Sequence, residues 1–146
     1  MRSEIDMNSV KELIEGLDVP ELVETKRKHI LVVDDDVRML RLIKKYLENN
    51  YDVATAINGR VALKFLESKH TDLVLLDYEM PLDNGAAVLE KIRQNPKTKD
   101  LPVVFLTGVS SKEKIQEVLQ MRPQGYLLKP INKQKLLFTI EKNIGY

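Results

Sequence analysis

Four short apolar segments of the sequence each end at a side chain that can bind a metal ion or a phosphoryl group. They end at Asp34 and Asp35, at Asp77, at Thr107 and at Lys129. Mg²⁺ takes oxygen ligands, usually one or two carboxylates together with phosphate oxygens and water. A hydroxyl and an ammonium group can donate hydrogen bonds to phosphoryl oxygens. The five side chains therefore suit a magnesium ion beside an aspartate that accepts a phosphoryl group.

The four segments have the composition of buried strands, and helical patterns alternate with them from residue 29 onward. In an open parallel sheet, ligands bind outside the carboxyl ends of the strands. Five strands and five helices predict an α/β fold of the flavodoxin-like, doubly wound type, with strand order 2-1-3-4-5. Strands one and three are neighbours in that order, so Asp34, Asp35 and Asp77 should converge.

Apolar periodicity and turn residues set the expected ends of these elements. The predicted strands cover 29–34, 51–57, 71–77, 102–107 and 125–129. The predicted helices cover 37–49, 60–68, a segment opened by Asn84 and Gly85, a segment of about 111–121 capped by Ser110 or Ser111, and 132–143. Asp36 is the expected N-cap of the first helix. One face of that helix carries Val37, Leu40, Ile43, Tyr46 and Leu47.

Residues 1–28 precede this pattern, so we divide the chain into a helical N-terminal extension, 1–28, and a domain, 29–146. The segment Ser9-Val10-Lys11-Glu12 resembles a capping box, and an apolar stripe follows it. Residues 1–24 hold seven acidic and two basic residues, a balance of −5. Such a segment could pack on its own domain, fray, bind a partner or form a homodimer.

The composition excludes several classes of protein. The chain has 146 residues, 43% of them hydrophobic and 31% charged, which suits one globular domain. No apolar run exceeds four residues, so no membrane insertion is expected. A net charge of +1 is too small for a nucleic-acid-binding surface, and the chain has no cysteine. These properties favour a cytoplasmic protein.

The residues named first stand in four motifs that resemble those of a known family. The motifs are Val33-Asp34-Asp35, Leu76-Asp77-Tyr78-Glu79-Met80-Pro81 continuing to Gly85, Leu106-Thr107-Gly108, and Tyr126-Leu127-Leu128-Lys129-Pro130. In this order, over about residues 28 to 145, they resemble the receiver domain of two-component response regulators, the CheY-like superfamily.

The resemblance implies a role for each residue. Asp77 would be the phosphoacceptor. Asp35 and Asp77 would bind Mg²⁺ directly, with Asp34 acting mainly through water and the backbone carbonyl of Glu79 as a further ligand. Two more residues, Thr107 and Lys129, would contact the phosphoryl oxygens, and the Lys129–Pro130 bond would be cis.

The resemblance also implies how the domain signals. A histidine kinase, a phosphotransfer protein or a small phosphodonor would supply the phosphoryl group. Thr107 and Tyr126 would then switch the surface formed by residues 111–143, which an effector protein or domain binds. The resemblance thus implies a self-phosphorylating and autodephosphorylating bacterial switch, not a turnover enzyme.

Other interpretations remain open from the residues alone. Glu79 could be a solvated loop carboxylate, or could reach an attacking water and set the lifetime of the phosphorylated state. Tyr126 could be an ordinary half-buried tyrosine on an edge strand.

Two alternative functions belong to other classes. A haloacid-dehalogenase-like phosphatase would use Asp34 as its nucleophile, with Asp36 completing the acid pair. That fold needs further acids after the lysine, where Ile131 and Asn132 stand, and it leaves Asp77 without a role. The second alternative, a phosphorylation-independent adaptor, need not retain all five side chains.

Overall fold

The computed structural model describes residues 26–81, 84–108 and 112–145. Five parallel strands form one sheet in the order β2-β1-β3-β4-β5, which confirms the predicted flavodoxin-like fold. The strands are β1 (His29–Val33), β2 (Asp52–Ala56), β3 (Leu73–Asp77), β4 (Val103–Thr107) and β5 (Gly125–Leu128). The helices are α1 (Val37–Leu47), α2 (Gly59–Ser68), α3 (Gly85–Gln94), α4 (Lys112–Gln120) and α5 (Lys133–Ile144).

The central strands are buried because helices cover both faces of the sheet. Every residue of β3 and β4 is buried, as expected of parallel strands with near-continuous apolar sequences. One core lies between the sheet and helices α2, α3 and α4, and includes Leu76, Phe105 and Val118. The opposite core lies between the sheet and helices α1 and α5, and includes Ile43 and Leu136.

Short polar side chains begin four of the five helices. Asp36 accepts a hydrogen bond from the N–H of Arg38, and Asn84 accepts one from Ala87. Asn58 and Asn132 make the equivalent contacts at the starts of α2 and α5. Each cap satisfies a backbone N–H that has no partner within its helix, and is worth about 0.5–2 kcal/mol. The helices therefore start at fixed points beyond the carboxyl edge of the sheet.

The structure corrects several details of the predicted elements. Predicted and observed ends differ by one or two residues, for example at β3, which begins at Leu73 rather than at residue 71. Val37 was predicted to lie on the buried face of α1 but is 47% exposed. It occupies the first turn of the helix, whereas the core begins one turn later at Leu40.

Two predictions fall outside the described part of the chain. The helices predicted between Ser9 and Val23 and the capping of α4 by Ser110 or Ser111 both lie there. Within the described ranges, no helix has both the length and the apolar character needed to span a bilayer.

Candidate functional site

Three carboxylates lie together at the carboxyl edge of the sheet, as the strand order predicts. β1 and β3 are neighbours, and Val33 pairs with Leu76, so Asp34 and Asp77 are adjacent. One carboxylate oxygen from each of Asp34, Asp35 and Asp77 lies within 4.8 Å of the other two. Asp34 and Asp77 are almost fully buried, whereas Asp35 is exposed.

Lys129 joins the two buried carboxylates. Its Nζ donates a hydrogen bond to Asp34 Oδ2 at 3.0 Å and to Asp77 Oδ1 at 3.3 Å. Its backbone N–H donates to the carbonyl of Thr107 at 2.8 Å, which fixes the end of β5 beside the end of β4. The Lys129–Pro130 peptide bond is cis, as the resemblance implied.

The environment of the site shifts the pKa values of both Asp77 and Lys129. Burial, followed by the negative charge of Asp34, raises the pKa of Asp77 to about 6, although Lys129 opposes this shift. Burial alone would lower the pKa of Lys129, but its hydrogen bond to Asp34 and the charge of Asp77 outweigh burial and raise that pKa. Lys129 is therefore held as an ammonium cation at neutral pH.

Thr107 reaches the site through the side chain of Glu79. The Thr107 hydroxyl is at the buried end of β4 and donates to Glu79 Oε1 at 3.3 Å. The backbone N–H of Gly108 donates to the same oxygen at 3.1 Å. Glu79 also turns its own N–H toward Asp77 Oδ1, at 3.2 Å. The two interpretations of Glu79 made from the sequence included neither contact with β4, because no local pattern signals a contact between two loops.

Sequence reasoning missed Tyr78, the residue that follows the candidate acceptor. Its ring is buried and meets Phe105 edge to face, with 5.2 Å between ring centroids. Its hydroxyl donates a hydrogen bond to the carboxylate of Glu117 on α4. Burial, with the acceptor Glu117 next in importance, raises the pKa of Tyr78 to about 12. A bulky aromatic residue directly after Asp77 was the only sequence signal for this contact.

Tyr126, the predicted switch residue, lies on β5 next to the strand that carries Thr107. It pairs in register with Phe105 and is half-buried against the core of α2, α3 and α4. Two residues further along the same pair of strands, Leu128 pairs with Thr107. Tyr126 therefore lies near the end of β4 in the sheet. Its side chain packs against the hydrophobic core and is not part of the charged cluster.

The donor set fits a hard divalent cation. Three carboxylates and one ammonium group give the cluster a formal charge of −2, and two of those carboxylates are buried. A cation would reduce the repulsion between these carboxylates, and carboxylate oxygens are the ligands that Mg²⁺ prefers. Asp35 is the exposed carboxylate of the set.

The protein is thus a doubly wound α/β protein with an acidic cluster, a lysine and a strand-end threonine at the carboxyl edge of its sheet, where such folds bind ligands. The response regulator receiver domain family matches residues 30–141. The chain belongs to this family. It is therefore a phosphoacceptor receiver domain of two-component signalling, a signalling switch whose family generally binds Mg²⁺ in an acidic pocket.

Individual relatives agree with this assignment. The chemotaxis protein CheY of Pseudomonas aeruginosa is 36% identical over 115 residues, which are 77% of this chain and 93% of that protein. The structure of chemotaxis protein CheY4 of Vibrio cholerae superposes with a TM-score of 0.76 at 30% identity, covering 81% of this chain and 99% of that one.

Other relatives are much longer than the matched region. The probable cyclic di-GMP phosphodiesterase of Vibrio cholerae is 38% identical over 103 residues, which are 70% of this chain but 23% of that protein. The chain likewise spans 10% of histidine kinase P4 of Formosa agariphila. The activities in the names of these longer proteins belong to those proteins.

Proposed function

We propose that Asp77 is the phosphoacceptor of this receiver domain. The observation that carries the proposal is the contact of Lys129 Nζ with Asp77 Oδ1 at 3.3 Å, at the centre of the carboxylate cluster. A second donor, the N–H of Glu79, orients the same oxygen. A carboxylate held in this way by a rigid strand end can meet an incoming phosphorus atom in line, which is the main requirement of phosphoryl transfer.

The proposed reaction is a displacement at phosphorus. An oxygen of Asp77 forms a bond to phosphorus while the bond from phosphorus to the donor breaks. The donor is the phosphohistidine of a histidine kinase or phosphotransfer protein, whose freed imidazole takes up a proton. Acetyl phosphate is the small-molecule equivalent, with acetate as the leaving group. Hydrolysis of the aspartyl phosphate resets the switch, so the protein does not turn over a substrate as an enzyme does.

Lys129 and Thr107 are assigned to the phosphoryl oxygens. The ammonium group supports negative charge on one oxygen, and it is already held at the site by Asp34 and Asp77. The hydroxyl of Thr107 is a neutral donor on a neighbouring strand. Asp34 positions the ammonium group and is itself oriented by the N–H of Asp36 at 2.9 Å.

Asp35 and Asp77 would hold Mg²⁺ directly, with Asp34 mainly through water and the backbone carbonyl of Glu79 as a further ligand. When bound, the ion supplies positive charge for the phosphoryl oxygens during transfer. The support from this chain is the convergence of the three carboxylates, which repel one another in its absence.

The output surface is proposed to be the face formed by residues 111–143. Helices α4 and α5 and strand β5 belong to it, and Thr107 and Tyr126 would link it to the phosphoryl group. Phosphorylation then biases an equilibrium between two arrangements of this face, and an effector protein or a second copy of the chain binds one of them. The proposal includes a cytoplasmic location and no direct contact with nucleic acid or membrane.

Labelling by acetyl phosphate with Mg²⁺ tests the acceptor. Intact-mass spectrometry should find one added phosphoryl group on the unaltered protein and none on Asp77→Asn. The matched control is Asp36→Asn, which removes a neighbouring carboxylate but keeps a good N-cap, so its labelling should persist. Undiminished labelling of Asp77→Asn would contradict the proposal and favour Asp34, the nucleophile of the phosphatase alternative.

A further inference from the structure

One oxygen of Glu79 receives two hydrogen bonds from the start of the loop after β4. The hydroxyl of Thr107 lies 3.3 Å from Glu79 Oε1, and the N–H of Gly108 lies 3.1 Å from it. The two donors belong to consecutive residues, and Thr107 is held by a strand whose residues are all buried. The sheet therefore holds the backbone of Thr107, with Gly108 next to it in the chain, whereas Glu79 is an exposed loop residue.

A hydroxyl and a backbone N–H that converge on one oxygen form a receptor for a negatively charged oxygen. Oxyanion sites work in the same way, with hydrogen-bond donors directed at the place where the negatively charged oxygen will lie. Hydrogen bonds to an ionised acceptor are also about twice as strong as neutral ones. The pair Thr107 and Gly108 thus has the chemistry needed for one oxygen of a phosphoryl group.

The acceptor Asp77 ends β3, and Glu79 lies in the loop that follows it. Only Tyr78 separates them, and the N–H of Glu79 donates to Asp77 Oδ1 at 3.2 Å. Asp77 pairs in register with Leu106, the residue before Thr107, so a phosphoryl group on Asp77 would direct its oxygens toward the donors that the Glu79 carboxylate contacts. A carboxylate and a phosphoryl group are both anionic, and repulsion prevents them from sharing these donors at hydrogen-bonding distance.

We infer that the side chain of Glu79 occupies the phosphoryl-oxygen receptor of the resting protein, and that it must leave before Asp77 can hold a phosphoryl group. This inference rests on the proposed function of Asp77. In the resting state the Glu79 carboxylate accepts hydrogen bonds from both Thr107 and Gly108. On phosphorylation the Glu79 carboxylate gives up its hydrogen bonds with both donors, and after hydrolysis of the aspartyl phosphate these hydrogen bonds form again.

The competition has a measurable size. Removing the carboxylate removes an internal competitor, so oxyanions should bind more tightly and transfer should be faster. Because Glu79 is exposed, water competes for the same hydrogen bonds and reduces their net strength. We therefore expect affinity and transfer rate to change by roughly three- to tenfold. The neutral acceptor of Glu79→Gln should compete less than the carboxylate, whereas Glu79→Ala leaves no competitor. Oxyanion affinity and the rate of phosphoryl transfer should both be highest in Glu79→Ala, intermediate in Glu79→Gln and lowest in the natural protein.

The test uses the full chain and three variants. Calorimetry with beryllofluoride and Mg²⁺ measures the affinity for a phosphoryl mimic, and acetyl phosphate labelling measures the rate of transfer. The amide resonance of Gly108, recorded without any phosphodonor, reports the Glu79 contact directly and should move in Glu79→Ala. Glu90→Ala, which alters an exposed glutamate on α3, is the matched control and should change none of the three readouts.

The outcomes separate this inference from the proposed function. Equal affinity and rate in the protein and in Glu79→Ala, with an unmoved Gly108 resonance, would overturn the inference while Asp77 remains the acceptor. Slower transfer or weaker binding in Glu79→Ala would overturn it too, because the carboxylate would then assist the reaction. Absence of labelling on Asp77 in every variant, the control included, would instead refute the proposed function.

Discussion

The hydroxyl of Tyr78 donates a hydrogen bond to the carboxylate of Glu117, which joins the residue after the candidate acceptor to helix α4. The ring of Tyr78 also packs against Phe105 on β4. The loop after β3 is therefore in direct contact with α4, in addition to the proposed link through Thr107 and Tyr126. Because α4 belongs to the proposed output face, this contact connects the site with that surface.

Loss of this contact should loosen α4. Tyr78→Phe and Glu117→Gln should each lower the free energy of unfolding by about 1 kcal/mol, the usual worth of a partly buried hydrogen bond. Because both changes disturb the same bond, their effects should not add in the double variant. Chemical denaturation measures the cycle, and amide exchange of α4 should rise in both variants. Glu113→Gln, an exposed residue of the same helix, is the control; strict additivity in the cycle would contradict a coupling between Tyr78 and Glu117.

The raised pKa of Asp77 predicts that the free energy of unfolding of the metal-free protein falls as the pH rises. The folded-state pKa is about 6 against an ordinary value of 3.8, so folding favours the protonated form. The ionised carboxylate then destabilises the fold above pH 6 by roughly 1–3 kcal/mol, and this penalty disappears as the pH falls from 6 toward 4. Asp77→Asn should accordingly be more stable than the natural protein at pH 7 and about equally stable near pH 4.

Denaturation in chelator at both pH values measures this difference. Asp36→Asn removes an exposed carboxylate whose hydrogen bond from Arg38 lowers its pKa, so it should not reproduce the gain at pH 7. A constant difference between Asp77→Asn and the natural protein across this pH range would show that the carboxyl group of Asp77 is not destabilising the fold.

Magnesium should stabilise the folded protein through the same cluster. A ligand that binds only the folded state adds about 1.4 kcal/mol at ten times its dissociation constant. Thermal unfolding with and without Mg²⁺ should therefore show a rise in Tm for the natural protein. The rise should nearly vanish in Asp35→Asn and persist in Asp36→Asn, which retains the helix cap. An equal rise in both variants would place the metal outside this cluster.

Gly85, the first residue of α3, lies against the backbone at the end of β3. A Cβ atom there would lie 2.7 Å from the carbonyl oxygen of Asp77 and 2.8 Å from the Cα of Tyr78. Because both obstacles are backbone atoms, Gly85→Ala should destabilise the fold by about 2–4 kcal/mol and slow labelling of Asp77. Gly125→Ala is the matched control, since its Cβ would meet only Thr139 Cγ2, at an ordinary 3.9 Å. Denaturation that ranks the two variants equally would disprove the close approach.

The sequence by itself determined the sheet and the membership of the acidic cluster. Apolar segments of strand length, each followed by a turn residue, fixed the number and order of the elements, because the buried face of each element is a local property of its residues. Once strands one and three are neighbours, the residues that follow them must meet. Asp34, Asp35 and Asp77 could therefore be brought together without coordinates, and Asp36 could be identified as a cap from its position before α1.

The tertiary structure alone decided which side chains form contacts between segments that are far apart in sequence. Glu79 meets Thr107 across 28 residues of sequence, and Tyr78 meets Glu117 across 39. It also decided that Val37 is exposed although its spacing matches the buried face of α1. Periodicity specifies which face of an element is apolar, but not where the neighbouring element ends or how a loop side chain is turned. Those depend on the packing of distant segments, and the contacts of Glu79 and Tyr78 arise only there.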